Sequence, residues 1–116
     1  MLVHLVTDNH IHGKKHLADH VEEVVKASLD RFGTQITRVE VHLHDDNGAK
    51  HGANDKRCTL EARLAGIDPM SAHHTAATID ESLHGALDKL EKMIDKHIDK
   101  LSHHKGKTSF GGEQTI

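Results

Sequence analysis

Apolar side chains recur at every third or fourth position in the last third of the chain, between residues 79 and 104. This spacing puts them on one face of a helix, so the stretch predicts a long amphipathic helix. The apolar face consists of Ile79, Leu83, Ala86, Leu87, Leu90, Ile94, Ile98 and Leu101. Thr78 and Glu81 have the spacing of a capping box at the start of this helix, and Gly106 is its predicted stop.

Shorter patterns before this helix predict four strands and one more helix. Apolar and polar positions alternate strictly over residues 36–44 and again over 57–65, as in strands with one buried face. Residues 2–7 have the composition of a strand, and 70–77 form a shorter and more polar one. Between residues 14 and 32 the apolar positions follow a helical period, and Gly33 is the predicted end of that helix. The predicted order is β-α-β-β-β-α.

Polar segments that contain glycine separate these elements. Residues 8–13 and 66–69 have the composition of turns, and 45–56 hold no apolar residue larger than alanine, which is typical of a mobile loop. Residues 1–104 are therefore predicted to form one α+β domain, and residues 105–116 a flexible C-terminal tail.

The order of elements also restricts the topology. The first strand-helix-strand unit implies a parallel pair, and the last three strands can form an antiparallel meander. Each helix has a single apolar stripe, so both helices are expected on one face of a four-stranded sheet. The other face is predicted to remain in water because its side chains are polar: Arg38, Glu40, His42, Arg57, Glu61 and Arg63.

The charges of the last helix are sorted by sign. At about 100° per residue, its basic side chains fall within a strip roughly 80° wide, and its acidic side chains occupy a separate strip. The basic strip holds Lys89, Lys92, Lys96, Lys100 and His103, and the acidic strip holds Asp88, Glu91, Asp95 and Asp99. A ridge of one sign suits a phosphate backbone, because each lysine can neutralise one phosphate. On spacing alone, a solvated lysine face is the alternative interpretation.

Composition narrows the class of protein. The 116 residues include only two phenylalanines and no tryptophan or tyrosine, so the core must be aliphatic. There is no apolar run as long as a membrane span and no segment typical of a signal peptide, and a single cysteine fits a reducing cytoplasm. The net charge of −3 means that any contact with RNA must use a local patch. Half-charging the fourteen histidines near pH 6.5 would bring the net charge to roughly +4 and is expected to favour RNA binding.

Two other kinds of site can be considered. Three histidine pairs have spacings that could direct both imidazoles to one side of an element: His10 and His12, His16 and His20, His42 and His44. No cysteine or acidic cluster completes a recognisable ligand set around them, so surface histidines are the preferred interpretation. Cys58 alternates with inward-facing residues and is expected to be a buried, inert thiol. We expect neither a metal site nor an enzyme.

Several segments carry a resemblance to a known family. The run Leu87-Asp88-Lys89-Leu90, then Lys96-His97, then Asp99-Lys100-Leu101 resembles the second helix of the hibernation-promoting factor and ribosome-associated inhibitor A family. Residues 36–43 are similar to the family's second strand, and Val21-Glu22-Glu23 with Leu29 and Phe32 to its first helix. The resemblance covers about residues 1 to 105 and includes the order of elements.

The resemblance implies a double-stranded-RNA-binding-like fold and a place on the small ribosomal subunit, in the channel for messenger and transfer RNAs. Members of this family hold ribosomes inactive in stationary phase or stress, and basic side chains of both helices meet the ribosomal RNA backbone. By this resemblance, Lys89, Lys96 and Lys100 match basic positions of the family, Lys92 falls where the family often has arginine, and Lys26 and Arg31 are the candidates in the first helix. The four lysines are expected to contact phosphates of the ribosomal RNA, assisted by Lys26, Arg31 and His103.

The sequence therefore predicts a cytoplasmic, non-enzymatic factor of the short type, without a cofactor. Its expected partner is the small ribosomal subunit with its 16S-type rRNA, and it is expected to be a monomer off the ribosome and to avoid membranes. The alternative is a metal- or protein-binding module that has the same fold and does not bind the ribosome.

Overall fold

The computed structural model describes residues 1–8, 14–45 and 56–106, with the backbone only for Lys14 and for residues 101–106. In this part of the chain the elements are β1 (Leu2–Thr7), α1 (Lys14–Leu29), a 3₁₀ segment (Asp30–Gln35), β2 (Ile36–Asp45), β3 (Lys56–Leu64), β4 (Met70–Ala76) and α2 (Ile79–Gly106). Their order confirms the predicted α+β fold. Most of the predicted turn 8–13 and loop 45–56 lies outside the described residues. The predicted tail begins at residue 105, but Lys105 and Gly106 are still in α2, and the rest of that tail lies outside the described residues.

The four strands form one sheet in the order β1-β2-β3-β4. β1 runs parallel to β2, with Leu2 opposite Arg38 and Thr7 opposite Leu43. β2 pairs antiparallel with β3, and β3 with β4, so the predicted parallel pair and meander are both confirmed. β1 and β4 are the two edge strands.

Both helices lie on the same face of the sheet and cover an aliphatic core. The alternation in β2 and β3 has the predicted direction, since Val39, Val41, Cys58, Leu60 and Ala62 are all 0% exposed. Helix α1 contacts β1, whereas α2 contacts β3 and β4. The helices contribute the buried side chains Val21, Val25, Leu29, Leu83, Ala86, Leu87, Leu90 and Ile94. Each large aliphatic side chain that is fully buried contributes about 1.5–3 kcal/mol relative to an exposed one.

The first helix ends differently from the prediction. The α-helical part stops at Leu29 and tightens into the 3₁₀ segment, which was predicted as α-helix up to Phe32. Phe32 is buried, and Gly33 has a φ of 59°, a left-handed conformation that glycine adopts without steric cost. The 3₁₀ segment, with Gly33 in this conformation, places Phe32 in the core and leads the chain into β2.

Thr78 caps the start of α2, which is one half of the predicted capping box. The backbone N–H of Glu81 donates to the hydroxyl of Thr78 over 3.1 Å, which satisfies one of the unpaired donors at a helix N-terminus. Ser82 is buried, and its hydroxyl donates to the carbonyl of Ile79 over 2.7 Å. These contacts fix the residue at which α2 begins and therefore the direction of its faces.

Helix α2 approaches β4 closely at Gly85. A Cβ atom built at Gly85 would overlap the imidazole ring of His74, which is half-buried on β4. The missing side chain therefore sets the distance between helix and strand. This close approach places one flank of α2 beside the outer edge of the sheet.

Candidate nucleic-acid interface

The lysine flank of α2, defined as Lys89, Lys92, Lys96 and Lys100, lies along the side of the helix next to β4. All four side chains are exposed. Helix α2 buries its apolar stripe against β3 and β4. Side chains to one side of that stripe therefore emerge at the edge of the sheet, and the lysine flank is one such set. The structure therefore brings together four of the seven basic residues predicted from the sequence.

Lys89 and Lys92 already have contacts within the protein. The ammonium group of Lys89 donates to the backbone carbonyl of His73 over 2.9 Å. An ammonium has three donors, so Lys89 keeps its charge and two N–H groups for a further ligand. Lys92 lies 3.6 Å from the carboxylate of Asp88, one helical turn earlier, and both side chains are largely exposed. Such a pair is weak and can yield to a phosphate.

Lys96 and Lys100 are different, since within the described part of the chain neither ammonium makes a hydrogen bond or an ion pair. They line an open groove of about 290 Å³ between α2 and the start of β4. Met70, Met93 and His97 form the rest of its lining. An external anion would thus meet these two lysines without displacing an internal partner.

Arg31 makes contacts that the sequence reasoning did not foresee. Its two terminal nitrogens each donate to an oxygen of Asp95 over 2.8 Å, and one of them lies 3.4 Å from Glu91. The guanidinium also lies 4.1 Å from the centroid of the Phe32 ring, within the range of a cation–π contact. The hydrogen bond with Asp95 raises the pKa of Arg31, and the same bond lowers the pKa of Asp95. Arg31 therefore joins the end of α1 to the acidic side of α2.

The two remaining predicted residues, Lys26 and His103, do not belong to the lysine flank. Lys26 lies on α1 and pairs with Glu22 over 2.9 Å, in an exposed contact between successive helical turns. The side chain of His103 lies outside the described residues. A role in RNA binding remains a prediction for all seven residues.

The open face of the sheet carries a charged network centred on Glu40. Arg38 donates to one carboxylate oxygen over 2.8 Å, and Nε2 of His42 lies 3.3 Å from the other. The hydrogen bond with His42, and then the charge of Arg38, lower the pKa of Glu40. Glu40 also faces Glu61 across the β2–β3 pair, so Arg38 and His42 offset a contact between like charges. The sequence predicted this face, but not which of its groups pair.

The histidine pairs do not converge on a common point in the described residues. His20 contacts Asp80 on α2 over 2.9 Å, and His44 lies 3.8 Å from Asp8, whereas His42 contacts Glu40. Among residues 1–8, 14–45 and 56–106, no group of three or more histidine, cysteine or acidic side chains could hold a metal ion. The pair His10 and His12 lies outside that part of the chain.

Cys58 has the buried position predicted from its alternation. Its side chain is 0% exposed, and burial raises the pKa of the thiol to about 12. A thiol with so high a pKa forms little thiolate near neutral pH, so it is a poor nucleophile.

No helix in the described part of the chain has the length and apolar character needed to cross a membrane.

Two solved structures of low sequence identity share this fold. A ribosomal subunit interface protein from Coxiella burnetii superposes with a TM-score of 0.65 at 15% identity, covering 85% of this chain and 99% of that one. The N-terminal domain of Thermus thermophilus Protein Y also gives a TM-score of 0.65, at 20% identity, covering 84% of this chain and 99% of that domain. Among curated proteins there is no match.

The family of this protein is identified from its sequence. Residues 5–102 match the profile of the family described as sigma 54 modulation protein / S30EA ribosomal protein. This match covers nearly all of the described elements, from β1 to the last turns of α2. It agrees with the resemblance seen in the second helix and with the shared fold, and the family is non-enzymatic and associated with ribosomes. The chain belongs to the sigma 54 modulation protein / S30EA ribosomal protein family.

Proposed function

We propose that this protein is a cytoplasmic factor that binds the small ribosomal subunit in the channel for messenger and transfer RNAs and thereby inhibits translation under stress. The observation that carries the proposal is the exposed lysine flank of α2, with Lys96 and Lys100 free of internal partners among the described residues. The name of the Coxiella burnetii protein, a ribosomal subunit interface protein, agrees with that location.

Electrostatics explains how an acidic molecule can bind RNA. The net charge is −3 with neutral histidines, so the protein as a whole is not attracted to a polyanion. The lysine flank concentrates positive charge on one side of α2, while Glu91 and Asp95 are turned towards Arg31. Each lysine that neutralises a phosphate releases a counterion, and this release supplies affinity without base-specific contacts.

Inhibition would follow from occupancy alone. A domain seated in the channel excludes messenger and transfer RNAs sterically, and no chemical step is required. In this mechanism Lys96 and Lys100 are the first phosphate ligands, and Lys89 and Lys92 join them when their weak internal contacts yield. Arg31 contributes chiefly by holding α1 against α2, and so keeps the flank in place.

Cosedimentation with purified small subunits tests this assignment. We expect the wild-type protein to pellet with subunits and the double variant Lys96→Gln/Lys100→Gln to pellet much less. A matched control, Lys15→Gln/Arg63→Gln, also removes two exposed positive charges, but from α1 and the open face of the sheet. We expect the control to behave like the wild type, and equal losses in both double variants would contradict a localised interface.

The place of binding can be tested separately. If the protein occupies the channel, subunits preloaded with messenger RNA and transfer RNA should retain much less of it. Retention equal to that of empty subunits would contradict binding in the channel, even if the lysine flank were confirmed as the binding surface.

A further inference from the structure

The groove beside Lys96 and Lys100 has a lining that a purely electrostatic interface does not need. Besides the two ammonium groups it contains Met70, Met93 and His97. Met93 is 39% exposed and is one of only three large apolar side chains exposed in the described part of the chain. An apolar side chain between lysines does not favour phosphate binding, so its position points to a second chemical group in the ligand.

The combination of charges and apolar surface suits a nucleotide. Lys96 and Lys100 are one helical turn apart, about 6 Å along α2, and both line the groove. Thioether groups make favourable contacts with aromatic rings, and histidine is among the side chains on which unstacked bases are held. The volume of about 290 Å³ lies near the lower end of the roughly 300–1,000 Å³ of small-molecule sites, which is suitable for one planar heterocycle.

We propose that this groove holds one unpaired RNA base, with Lys96 and Lys100 on the phosphates that flank it. The inference rests on the proposed function of the lysine flank and adds the class of target: a strand that is single at this point. A base in a duplex is stacked on both sides and cannot enter a groove on the protein surface. The protein would therefore prefer single-stranded ribosomal RNA to a continuous helix.

The test distinguishes the contribution of a base to the affinity from the contribution of the phosphates. Fluorescence anisotropy would compare a short single-stranded RNA with an oligonucleotide of the same length and phosphate count in which the central nucleotides lack bases. We expect the wild type to bind the complete strand roughly fivefold more tightly, at the low end of the contribution of one stacked base. In Met93→Ala the two affinities should become nearly equal, with an unchanged salt dependence because the phosphate contacts remain.

A matched control is available on β1. Val6 is 37% exposed, so Val6→Ala also truncates an exposed apolar side chain, and it should keep the preference of the wild type. Circular dichroism of each variant would establish that it is folded.

Each outcome has a distinct meaning. Equal affinity of the wild type for the two strands would overturn the base site and leave the phosphate interface intact. The same conclusion would follow if Met93→Ala kept the preference. If the wild type bound neither strand and Lys96→Gln/Lys100→Gln did not affect binding to subunits, the proposed function itself would fail.

Discussion

Both terminal nitrogens of Arg31 lie 2.8 Å from the carboxylate oxygens of Asp95, which closes a two-point ion pair between residues 64 positions apart in the sequence. The pair crosses from the 3₁₀ segment after α1 to the middle of α2. Bidentate geometry is the arrangement in which a partly exposed ion pair is most effective. The acidic side of α2 that bears Asp95 and Glu91 therefore faces a cation of the same protein.

Replacing Arg31 with alanine should lower the melting temperature. The change leaves Asp95 and Glu91 without their cation and removes the guanidinium from the ring of Phe32. Lys92→Ala is the control, because it breaks an exposed contact within one helix. We expect a clear decrease for Arg31→Ala and little change for Lys92→Ala in thermal denaturation followed by circular dichroism. Equal shifts would show that the pair contributes no more than an ordinary surface contact.

The same ion pair should give stability a defined dependence on pH. The hydrogen bond from Arg31 lowers the pKa of Asp95 in the folded state, so the pair stabilises the protein above the pKa of an unfolded aspartate, about 3.9. That contribution is lost as the pH falls through the lower folded-state pKa. The difference in melting temperature between wild type and Arg31→Ala should therefore be largest near neutral pH and shrink in strong acid. A difference that grew on acidification would contradict the pairing.

Gly85→Ala should destabilise the protein, although alanine is the better helix former. The new Cβ would overlap the ring of His74, and such overpacking costs about 1–3 kcal/mol, against a gain of about 1 kcal/mol in helix propensity. We expect a net loss of up to about 2 kcal/mol in the free energy of unfolding, measured with urea. The double variant Gly85→Ala/His74→Ala should recover most of it. A stabilised single variant would mean that His74 moves aside at no cost.

Cys58 should be unreactive in the folded protein. Burial raises the pKa of its thiol to about 12, whereas a free thiol has a pKa of about 8.5. At about pH 8 a thiol-specific reagent should therefore modify the protein very slowly in buffer and rapidly in denaturant. Rapid, stoichiometric modification under native conditions would show that β3 opens far more readily than its burial suggests.

Lowering the pH from about 7.5 to about 6 should strengthen binding to small subunits at constant ionic strength, because histidines acquire charge over that range. His97 lies in the groove with Lys96 and Lys100, so it is the histidine to replace in a test of this effect. In His97→Gln the increase should be smaller than in the wild type. An affinity that did not change with pH would exclude histidine charge as a factor in binding.

Much of this molecule can be predicted from local patterns. Strict alternation assigned Val41 and Leu60 to the core and Arg38 to the open face, because successive strand residues point to opposite sides of a sheet. The helical period placed the lysines of α2 on one flank in the same way. The order of elements restricted the topology because short connections and single apolar stripes leave few arrangements.

Only the tertiary structure shows which charged side chains have partners within the protein. On the sequence, Arg31 and Lys96 are both candidates for binding RNA. In the fold, Arg31 is held by Asp95, whereas Lys96 lies at an open groove with Met93 beside it. The close approach of Gly85 to His74 is likewise absent from any local pattern. The physical reason is that periodicity depends on neighbours a few residues away, whereas ion pairs, grooves and close contacts depend on residues that only folding brings together. The sequence by itself determined the architecture and the lysine flank. The tertiary structure decided which cations on the described surface are available to an external phosphate.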